Sequence, residues 1–378
     1  MSTMTHEQAA LIDAVRHFAD DELAPHAAEW DETHHFPLDV LREAGQMGLG
    51  GIMIDERFGG SGLSRADAVR IFEQLARGDT TIAASISIHN MVVGMIDRFG
   101  DERQRAEWVP ALASLESLGS YCLSEPGMGS DAAAVRTHAE RVGDDYVING
   151  VKQFISGAGA AAIYVVMART AETGSHGISA IVVPADTVGL GFGPLEKKMG
   201  WHAQPTRQVI FDNVHVPVTN RLSAEGDGFG IAMSALDGGR LNIGACSIGG
   251  GQFALDQTVA YLKTREAFGS PLIEKEALLF QLADMDTELE AARSLLMRAA
   301  DALDEHDPGA VRLCAMAKRV ATDAGFTVAN AALQLHGGYG YLSEYGIERI
   351  VRDLRVHQIL EGTNEIMRLI VGRELAGA

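Results

Sequence analysis

The sequence predicts an α+β protein of three domains: an N-terminal helical domain (1–117), a small middle β-domain (118–225) and a C-terminal antiparallel four-helix bundle (226–378). Apolar residues recur with a helical period in the first and last parts of the chain. Short β-branched runs separated by polar turns occupy the middle. Prolines become rare in the last domain, so long helices can form there.

Capping residues predict where the N-terminal helices begin. Thr5 and Gln8 have the spacing of a capping box, and the apolar residues that follow line one helical face. Pro37 suits the start of a second helix, because a missing N–H costs little in the first turn. Ser64 is a good N-cap for a third helix.

A turn signal and two apolar runs predict the middle β-domain. Asn149-Gly150 lies between Tyr146–Ile148 and Val151–Ile155, and an Asn-Gly pair between such runs is a strong hairpin signal. Ile163–Ala168 and Ile178–Val183 are β-branched runs of strand length. We therefore expect a hairpin at the Asn-Gly pair and two further strands.

Apolar residues at spacings of three and four predict the C-terminal bundle. They outline three long helices at about 228–264, 272–305 and 309–335, with shorter helices to the end of the sequence. Pro271 and Pro308 stand near the starts of the second and third helices, where proline is tolerated. Long helices joined by short links form an antiparallel bundle.

Composition and charge exclude several functions. The net charge is −20, and so acidic a surface repels phosphate backbones, which argues against a nucleic-acid partner. No apolar stretch approaches the roughly 18–20 residues of a membrane span. Cys122, Cys246 and Cys314 form no C-x-x-C pair, so neither a disulfide framework nor a zinc site is expected. We expect a cytoplasmic protein with no metal cofactor and no membrane partner.

Common catalytic signatures are missing from the sequence. It contains no P-loop, zinc-protease or nucleophile-elbow motif. Gly157–Ala162 matches the loose G-x-G-x-x-A dinucleotide pattern, but the apolar run from Ile163 predicts a strand where that fingerprint needs a helix. A nicotinamide dinucleotide site is therefore not expected.

Five segments carry the most specific signal. Tyr121–Asp131 interleaves glycines with hydroxyl residues, which lets donors approach a polar ring system, although taken alone a plain turn is the better interpretation. The other four are Phe154–Ser156, Arg265–Gly269, Gln334–Gly340 and Gln358–Glu365. In this order, on helices and a β-domain, they resemble the acyl-CoA dehydrogenase family over nearly the whole chain. The resemblance implies the fold of that family.

Within the family, segments in all three domains most resemble the branch that oxidises isobutyryl-CoA. They are Gly60–Arg65, Ile86–Met91, Phe154–Gly159, Gln204–Arg207 and Val356–Gly362. The resemblance implies FAD-dependent dehydrogenation of a short branched-chain acyl-CoA, here isobutyryl-CoA to methacrylyl-CoA in valine catabolism. 2-Methylbutanoyl-CoA and butyryl-CoA are the alternative substrates.

The resemblance also implies a mechanism. A base removes the α-proton of the thioester while the β-hydrogen leaves as hydride to flavin N5, and the site must raise the proton affinity of the base by desolvation. Glu361 matches the catalytic Glu of the family, although an isolated loop Glu is normally solvated. Some branches place their base at the position of Gly239 here, and glycine cannot take a proton.

The remaining site residues are implied by matching positions. For FAD they are Tyr121, Leu123, Ser124, Gly129, Ser130, Phe154, Ile155, Ser156, Arg265, Phe268, Gln334, Leu335, Gly337, Gly338, Thr363 and Glu365. For the substrate they are Ser130, Asp237, Arg240, Leu360, Gly362 and Arg373. An i, i+3 surface pair is the alternative interpretation of Asp237 and Arg240. Glu276 stands where relatives often have Gln, so we leave it out of the site.

The resemblance finally implies partners. Arg265 would reach the FAD pyrophosphate of a neighbouring subunit in a homotetramer, and a solvated helix end is its alternative interpretation. An electron-transfer flavoprotein would accept the electrons. Two other functions stay open. An acyl-CoA oxidase is disfavoured because such chains are usually longer, and a non-catalytic acyl-CoA-binding protein is disfavoured by the presence of Glu361.

Overall fold

The computed structural model describes residues 5–171 and 174–377. Residues 1–4, 172, 173 and 378 lie outside the described residues, and so do the predicted start of the first domain at 1 and the predicted end of the last domain at 378. The α-helices of these ranges are α1 (His6–Phe18), α2 (Ala27–Thr33), α3 (Leu38–Gln46), α4 (Arg65–Gly78), α5 (Thr80–Phe99), α6 (Glu102–Ala113), α7 (Gly228–Thr264), α8 (Glu276–Asp304), α9 (Ala310–Leu335), α10 (Ile347–Arg355) and α11 (Asn364–Ala376). None of these helices is long and apolar enough to cross a membrane.

The strands lie between the two helical regions, apart from one short hairpin after α7. They are β1 (Gly119–Cys122), β2 (His138–Val142), β3 (Asp145–Ser156), β4 (Ile163–Arg169), β5 (Ile178–Pro184), β6 (Leu190–Phe192), β7 (Thr206–Pro217), β8 (Arg221–Leu222), β9 (Glu266–Ala267) and β10 (Ser270–Pro271). This order of helices, sheet and helices confirms the predicted α+β architecture.

Side-chain caps begin α1 and α4 where the sequence predicts them, whereas α2, α5 and α6 were not predicted. Thr5 and Gln8 form the capping box of α1, and Ser64 forms another with Asp67 at α4. α3 begins directly after Pro37. The buried faces of α1, α4 and α5 join those of α7, α8 and α9 in one hydrophobic core. The N-terminal helices therefore pack on the C-terminal bundle.

The middle sheet has the strand order β6-β7-β3-β2-β4-β5-β8, and β1 pairs in parallel with β4. β4 and β5 confirm the two strands predicted at 163–168 and 178–183. Successive side chains of β4 face opposite sides of the sheet. Val165 packs with side chains of α5 and α6, whereas Val166 packs with those of β7. Both faces of the sheet are therefore covered at its centre.

The predicted hairpin at Asn149-Gly150 is wrong. Both residues lie inside β3, which pairs with β2 on one side and β7 on the other, and the chain reverses instead at Gly143-Asp144. The Asn-Gly pair makes a bulge, because the register against β7 shifts between Ile148 and Gly150. Asn213 of β7 donates its backbone N–H to Asn149 Oδ1 over 2.8 Å. Pairing on two sides overrides the local turn signal.

The C-terminal helices follow the predicted pattern. α7 and α9 match the predicted 228–264 and 309–335 to within a residue. α8 begins later than predicted, because Leu272–Glu274 forms a short 3₁₀ turn. α7 is central and packs against α4, α5, α8 and α9. Glycines in α7 allow the neighbouring helices to approach closely. At Gly249, a Cβ would overlap the carbonyl oxygen of Glu73 in α4, because the two atoms would lie 2.2 Å apart.

Asp353, fully buried in α10, joins all three regions of the chain. Its Oδ1 accepts the backbone N–H of Trp201, in the loop between β6 and β7, over 2.6 Å. Its Oδ2 accepts from Thr81 Oγ1 of α5 over 3.3 Å, and Arg349 lies 3.8 Å away. Burial raises the pKa of Asp353 to about 6, although Arg349 opposes the shift. The junction holds the sheet against both helical regions.

Candidate active site

Glu361 lies in the link between α10 and α11, where the backbone is left-handed at two successive residues. Its φ is 56°, and that of Gly362 is 89°. A non-glycine residue in this conformation is strained, which is typical of functional sites. Thr363 then caps α11 by accepting from the N–H of Ile366 over 3.3 Å. The link turns the carboxylate toward α7, where a Cβ at Gly239 would lie 2.7 Å from Oε2.

The surroundings of Glu361 raise its proton affinity. The residue is half-buried, but its Oε2 is fully buried and accepts no hydrogen bond from any described residue. Burial raises the pKa of Glu361 to about 7, although Arg240 and Lys318 oppose the shift. The phenol oxygen of Tyr121 is also buried with no partner in the described ranges, and burial and the charge of Glu361 raise its pKa. Two neighbouring unpaired polar atoms indicate a ligand site.

Asp237 and Arg240 form a buried pair near the start of α7. Their side chains are 14% and 5% exposed, and Arg240 Nη1 donates to Asp237 Oδ1. The Nε of Arg240 donates to the carbonyl oxygen of Glu361 over 3.3 Å. Burial raises the pKa of Asp237, and Arg240 lowers it. The alternative interpretation as a surface pair is therefore wrong, and Arg240 contacts the predicted base.

Two of the segments predicted to hold FAD lie side by side. The N–H of Gln153 in β3 donates to the carbonyl oxygen of Ser124 over 2.8 Å, which ties Tyr121–Asp131 to the strand that carries Phe154–Ser156. Phe154 has a φ of 60°, and its side chain is 67% exposed between buried neighbours. A strained backbone thus presents an aromatic ring outside the core, where a flat ligand can stack on it.

Five other residues predicted to contact FAD or the substrate, Gly129 among them, differ in exposure. The surroundings of Gly129 are open, since a Cβ there would meet nothing within 4 Å. Leu123 and Leu360 are partly buried and pack against core clusters. The side chains of Ile155 and Leu335 belong to the core, so these two residues can offer a ligand only backbone atoms.

A second group of predicted residues lies at the other end of α7. Arg265 follows the last turn of α7, and Phe268, 95% exposed, stands in the β9–β10 hairpin. The Arg265 guanidinium lies 5.4 Å from the ring centroid of Tyr339, which directly follows Gln334–Gly338. Gly239 and Arg265 are separated by about 39 Å, from the length of helix between them at 1.5 Å per residue. Within one chain this group cannot join the site around Glu361.

The last predicted residues lie on helix ends. Glu365 is exposed in the first turn of α11, where a backbone N–H and the Thr363 side chain lower its pKa. Arg373 is exposed in the last turn of α11, and Glu276 is exposed at the start of α8. In residues 5–171 and 174–377 no group of three or more His, Cys, Asp or Glu side chains could hold a metal ion.

The sequence reasoning missed two buried lysines that organise the site. Lys152 of β3 donates to Glu125 Oε1 over 2.8 Å and to the carbonyl oxygen of Leu123 over 3.0 Å, which fixes the Tyr121–Asp131 loop. Lys318 of α9 donates to the carbonyl oxygen of Gly362 over 2.9 Å. The apolar and small residues around each lysine were the only signal of their burial.

Comparison with known proteins decides the family. Models of the N-terminal, middle and C-terminal domains of acyl-CoA dehydrogenases match residues 5–116, 120–214 and 226–376. The chain belongs to the acyl-CoA dehydrogenase family. It is an oxidoreductase that acts on a CH–CH bond of an acyl-CoA with FAD as its cofactor.

Relatives cover this acyl-CoA dehydrogenase along nearly its full length. It is 51% identical over 372 residues to the mitochondrial isobutyryl-CoA dehydrogenase of Bos taurus, covering 98% of this chain and 89% of that protein. The butyryl-CoA dehydrogenase of Megasphaera elsdenii superposes with a TM-score of 0.97 at 37% identity, over 100% of both chains. A chain from the structure of the electron transferring flavoprotein of Acidaminococcus fermentans superposes with a TM-score of 0.97 at 38% identity, over 99% of this chain and 99% of that chain.

The residues of this acyl-CoA dehydrogenase fit FAD. The phenol of Tyr121, which has no partner in the part of the chain that the structure describes, can bond a polar ring, and the exposed Phe154 can stack on one. The open surroundings of Gly129 leave room for close approach. These three features lie on the two segments that Gln153 ties together.

Proposed function

We propose that this enzyme oxidises a short branched-chain acyl-CoA, isobutyryl-CoA, to methacrylyl-CoA in valine catabolism, with Glu361 as the base that takes the α-proton. The observation that carries the proposal is the buried Oε2 of Glu361, which faces Gly239 and has no hydrogen-bond partner among residues 5–171 and 174–377. Burial raises the pKa of Glu361 to about 7, and a base poised near the working pH is the most effective one. Identity of 51% to an isobutyryl-CoA dehydrogenase supports the substrate.

The residues around Glu361 supply basicity and direction. An α-proton beside a thioester is a weak acid, so the carboxylate must be a stronger base than in water, and desolvation provides this. Arg240 bonds the carbonyl oxygen of Glu361 and limits the directions in which the residue can turn. Bound FAD supplies the hydride acceptor, flavin N5. We assign the isoalloxazine to Tyr121–Ser130 and Phe154–Ser156, and the thioester arm to Ser130, Asp237 and Arg240.

We further propose a homotetramer in which neighbouring subunits complete each FAD site. Arg265, Phe268 and Gln334–Gly338 lie too far from Glu361 to share its cofactor within one chain. Phe268 is 95% exposed and Tyr341 81% exposed, and exposed aromatic residues in one region are typical of an interface. We keep domain boundaries at 117–118 and 225–226, in the links that precede β1 and α7.

Leu360 supports a branched substrate. It directly precedes Glu361 and is partly buried, so its shape affects the space beside the α-carbon. Many straight-chain relatives have Tyr at this position, and the forked Leu side chain leaves room where a planar ring would stand. One methylene is worth about 1–3 kcal/mol in such a pocket, so we expect tens-fold rather than absolute discrimination.

A substrate panel tests this assignment. We expect kcat/KM to rank isobutyryl-CoA first, 2-methylbutanoyl-CoA and butyryl-CoA next, and octanoyl-CoA far behind. Leu360→Tyr should shift the preference toward straight chains. If octanoyl-CoA is the best wild-type substrate, the branched-chain assignment is wrong while the family assignment stands.

Glu361→Gln tests the proposed base, because it removes the basic oxygen and keeps the side-chain volume. The anaerobic rate at which isobutyryl-CoA bleaches the flavin should fall by ~10²–10⁴-fold, the usual worth of a positioned base. FAD content and CoA binding should stay at wild-type levels. Bleaching at the wild-type rate would mean that another group is the base.

We propose an electron-transfer flavoprotein as the electron acceptor. The similarity to a chain from a structure of such a flavoprotein supports this choice. Reduction of added electron-transfer flavoprotein, compared with consumption of oxygen during turnover, separates this function from that of an oxidase. Fast oxygen consumption without electron-transfer flavoprotein would contradict the proposal.

A further inference from the structure

Lys318 is a buried cation joined to the link that carries Glu361. It lies in the middle of α9 with no exposed surface. Its Nζ donates to the carbonyl oxygen of Gly362 and to Asn364 Oδ1, both over 2.9 Å. Asn364 is held in turn by its Nδ2, which donates to Thr322 Oγ1 over 3.0 Å. One ammonium group therefore fixes the residues one and three positions after Glu361.

The link needs such an anchor. Glu361 and Gly362 are both left-handed, so the backbone here has none of the repeating hydrogen bonds of a helix. Burying an ammonium group is costly unless its N–H groups are paired, and replacing it with an apolar residue would avoid that cost. A fully buried lysine at this point therefore indicates a role beyond stability. Its two bonds lie on the segment whose conformation directs the Glu361 carboxylate.

We propose that Lys318 is a positioning residue for the base: it fixes the carbonyl of Gly362, and through it the direction of the Glu361 carboxylate, and its charge favours the ionised form of that carboxylate. This inference rests on the proposed function of Glu361. The charge effect has a defined sign. Lys318 opposes the rise in the pKa of Glu361, so a neutral residue at 318 leaves the base with a higher pKa. Burial lowers the pKa of Lys318 to about 8, so its charge is present while Glu361 titrates.

Two variants of Lys318 separate its effect on the position of the Glu361 carboxylate from the effect of its charge. Lys318→Met keeps the length of the chain but removes the donors and the charge. Lys318→Gln removes the charge and keeps an N–H donor, on a side chain that is one bond shorter. Thr322→Val is the matched control, since it lies one turn along α9 and removes a partner of Asn364 while leaving Lys318 intact.

The ionisation of Glu361 can be measured without turnover, in the FAD-loaded enzyme without substrate, from the infrared carbonyl stretch of its protonated carboxyl group. Glu361→Gln identifies the band by removing it. We expect the band to titrate near pH 7 in the wild type and about one pH unit higher in both Lys318 variants, since a nearby opposite charge shifts a pKa by about 1–3 units. Thr322→Val should titrate like the wild type.

Stopped-flow flavin reduction by isobutyryl-CoA reports how well the Glu361 carboxylate is positioned. It is measured for each protein at a pH above the titration of Glu361 in that protein. We expect Lys318→Met to lose about 10–100-fold, as a misplaced group does, and Lys318→Gln to recover most of that loss. An unshifted titration together with wild-type reduction in Lys318→Met would overturn the inference, as would an equal shift in Thr322→Val. If Lys318→Met does not hold FAD, Lys318→Gln decides the charge effect. A wild type that is not reduced by any acyl-CoA contradicts the proposed function instead, and the infrared titration still judges Lys318.

Discussion

Replacing Gly239 with alanine adds one methyl group directly against the base. The new Cβ would lie 2.7 Å from Oε2 of Glu361 and 3.0 Å from its Cδ. Non-bonded heavy atoms are in comfortable contact at about 3.5 Å, so the carboxylate must retreat by about 0.8 Å. Because it is the end of a flexible side chain, it can move without disturbing the helices.

The size of the effect follows from that displacement. A misplacement of about 1 Å at a reacting group can cost ~10²-fold, so we expect Gly239→Ala to slow flavin reduction by ~10–100-fold. Stability should not fall, since alanine in a helix interior is favoured over glycine by up to ~1 kcal/mol. The variant therefore separates a loss of rate from a loss of folding.

Gly238→Ala is the matched control for this experiment. Its Cβ would lie 2.6 Å from Nη2 of Arg65, so an equal overlap displaces a different side chain. Stopped-flow reduction by isobutyryl-CoA, FAD content and thermal unfolding are compared for both variants. If Gly239→Ala is reduced at the wild-type rate, or if both variants slow equally, the reasoning that Gly239 makes room for the base is refuted.

Three further outcomes follow from the same structure. Because burial raises the pKa of Glu361 to about 7 and the base must be ionised, kcat/KM should rise with pH through about 7 and fall about tenfold per unit below it, measured from pH 5 to 9. Lys152→Met leaves the buried Glu125 carboxylate with its two backbone N–H bonds but without its counter-charge, so it should lower the free energy of unfolding by ~3–5 kcal/mol and speed FAD release, whereas the exposed Lys197→Met should do neither. Phe268→Asp should yield smaller assemblies in light scattering and lower FAD retention, and an intact tetramer would contradict our assignment of the hairpin to an interface.

Local chemistry explains which elements were predictable. Thr5 and Ser64 cap helices through atoms only three residues away, so the signal is contained in the sequence itself. The bounds of α7 and α9 follow from apolar periods sustained over many turns. The hairpin prediction at Asn149-Gly150 was wrong because the conformation of this pair depends on β7, which pairs with it from more than fifty residues away.

The site was less predictable than the fold for the same reason. Glu361 was identified through the resemblance to the family, because a Glu in a loop is by itself expected to be solvated. Lys318 was missed because a lysine within a helix is usually on the solvated face, and its acceptor, Gly362, lies 44 residues further along the chain. The proposed roles of Arg265 and Phe268 depend on a second chain, so they come from the resemblance and not from contacts within one chain.

The buried carboxylate of Asp353 couples the unfolding of the three regions. Detaching the sheet would remove the N–H of Trp201 from that carboxylate, and a hydrogen bond to a charged group is worth about 1.5–3 kcal/mol. Separating α5 would remove the bond from Thr81 in the same way. No region can therefore melt first at low cost, and the three should unfold as one cooperative unit. Tryptophan fluorescence, to which Trp30, Trp108 and Trp201 contribute, and the helical circular dichroism should then report a single shared transition.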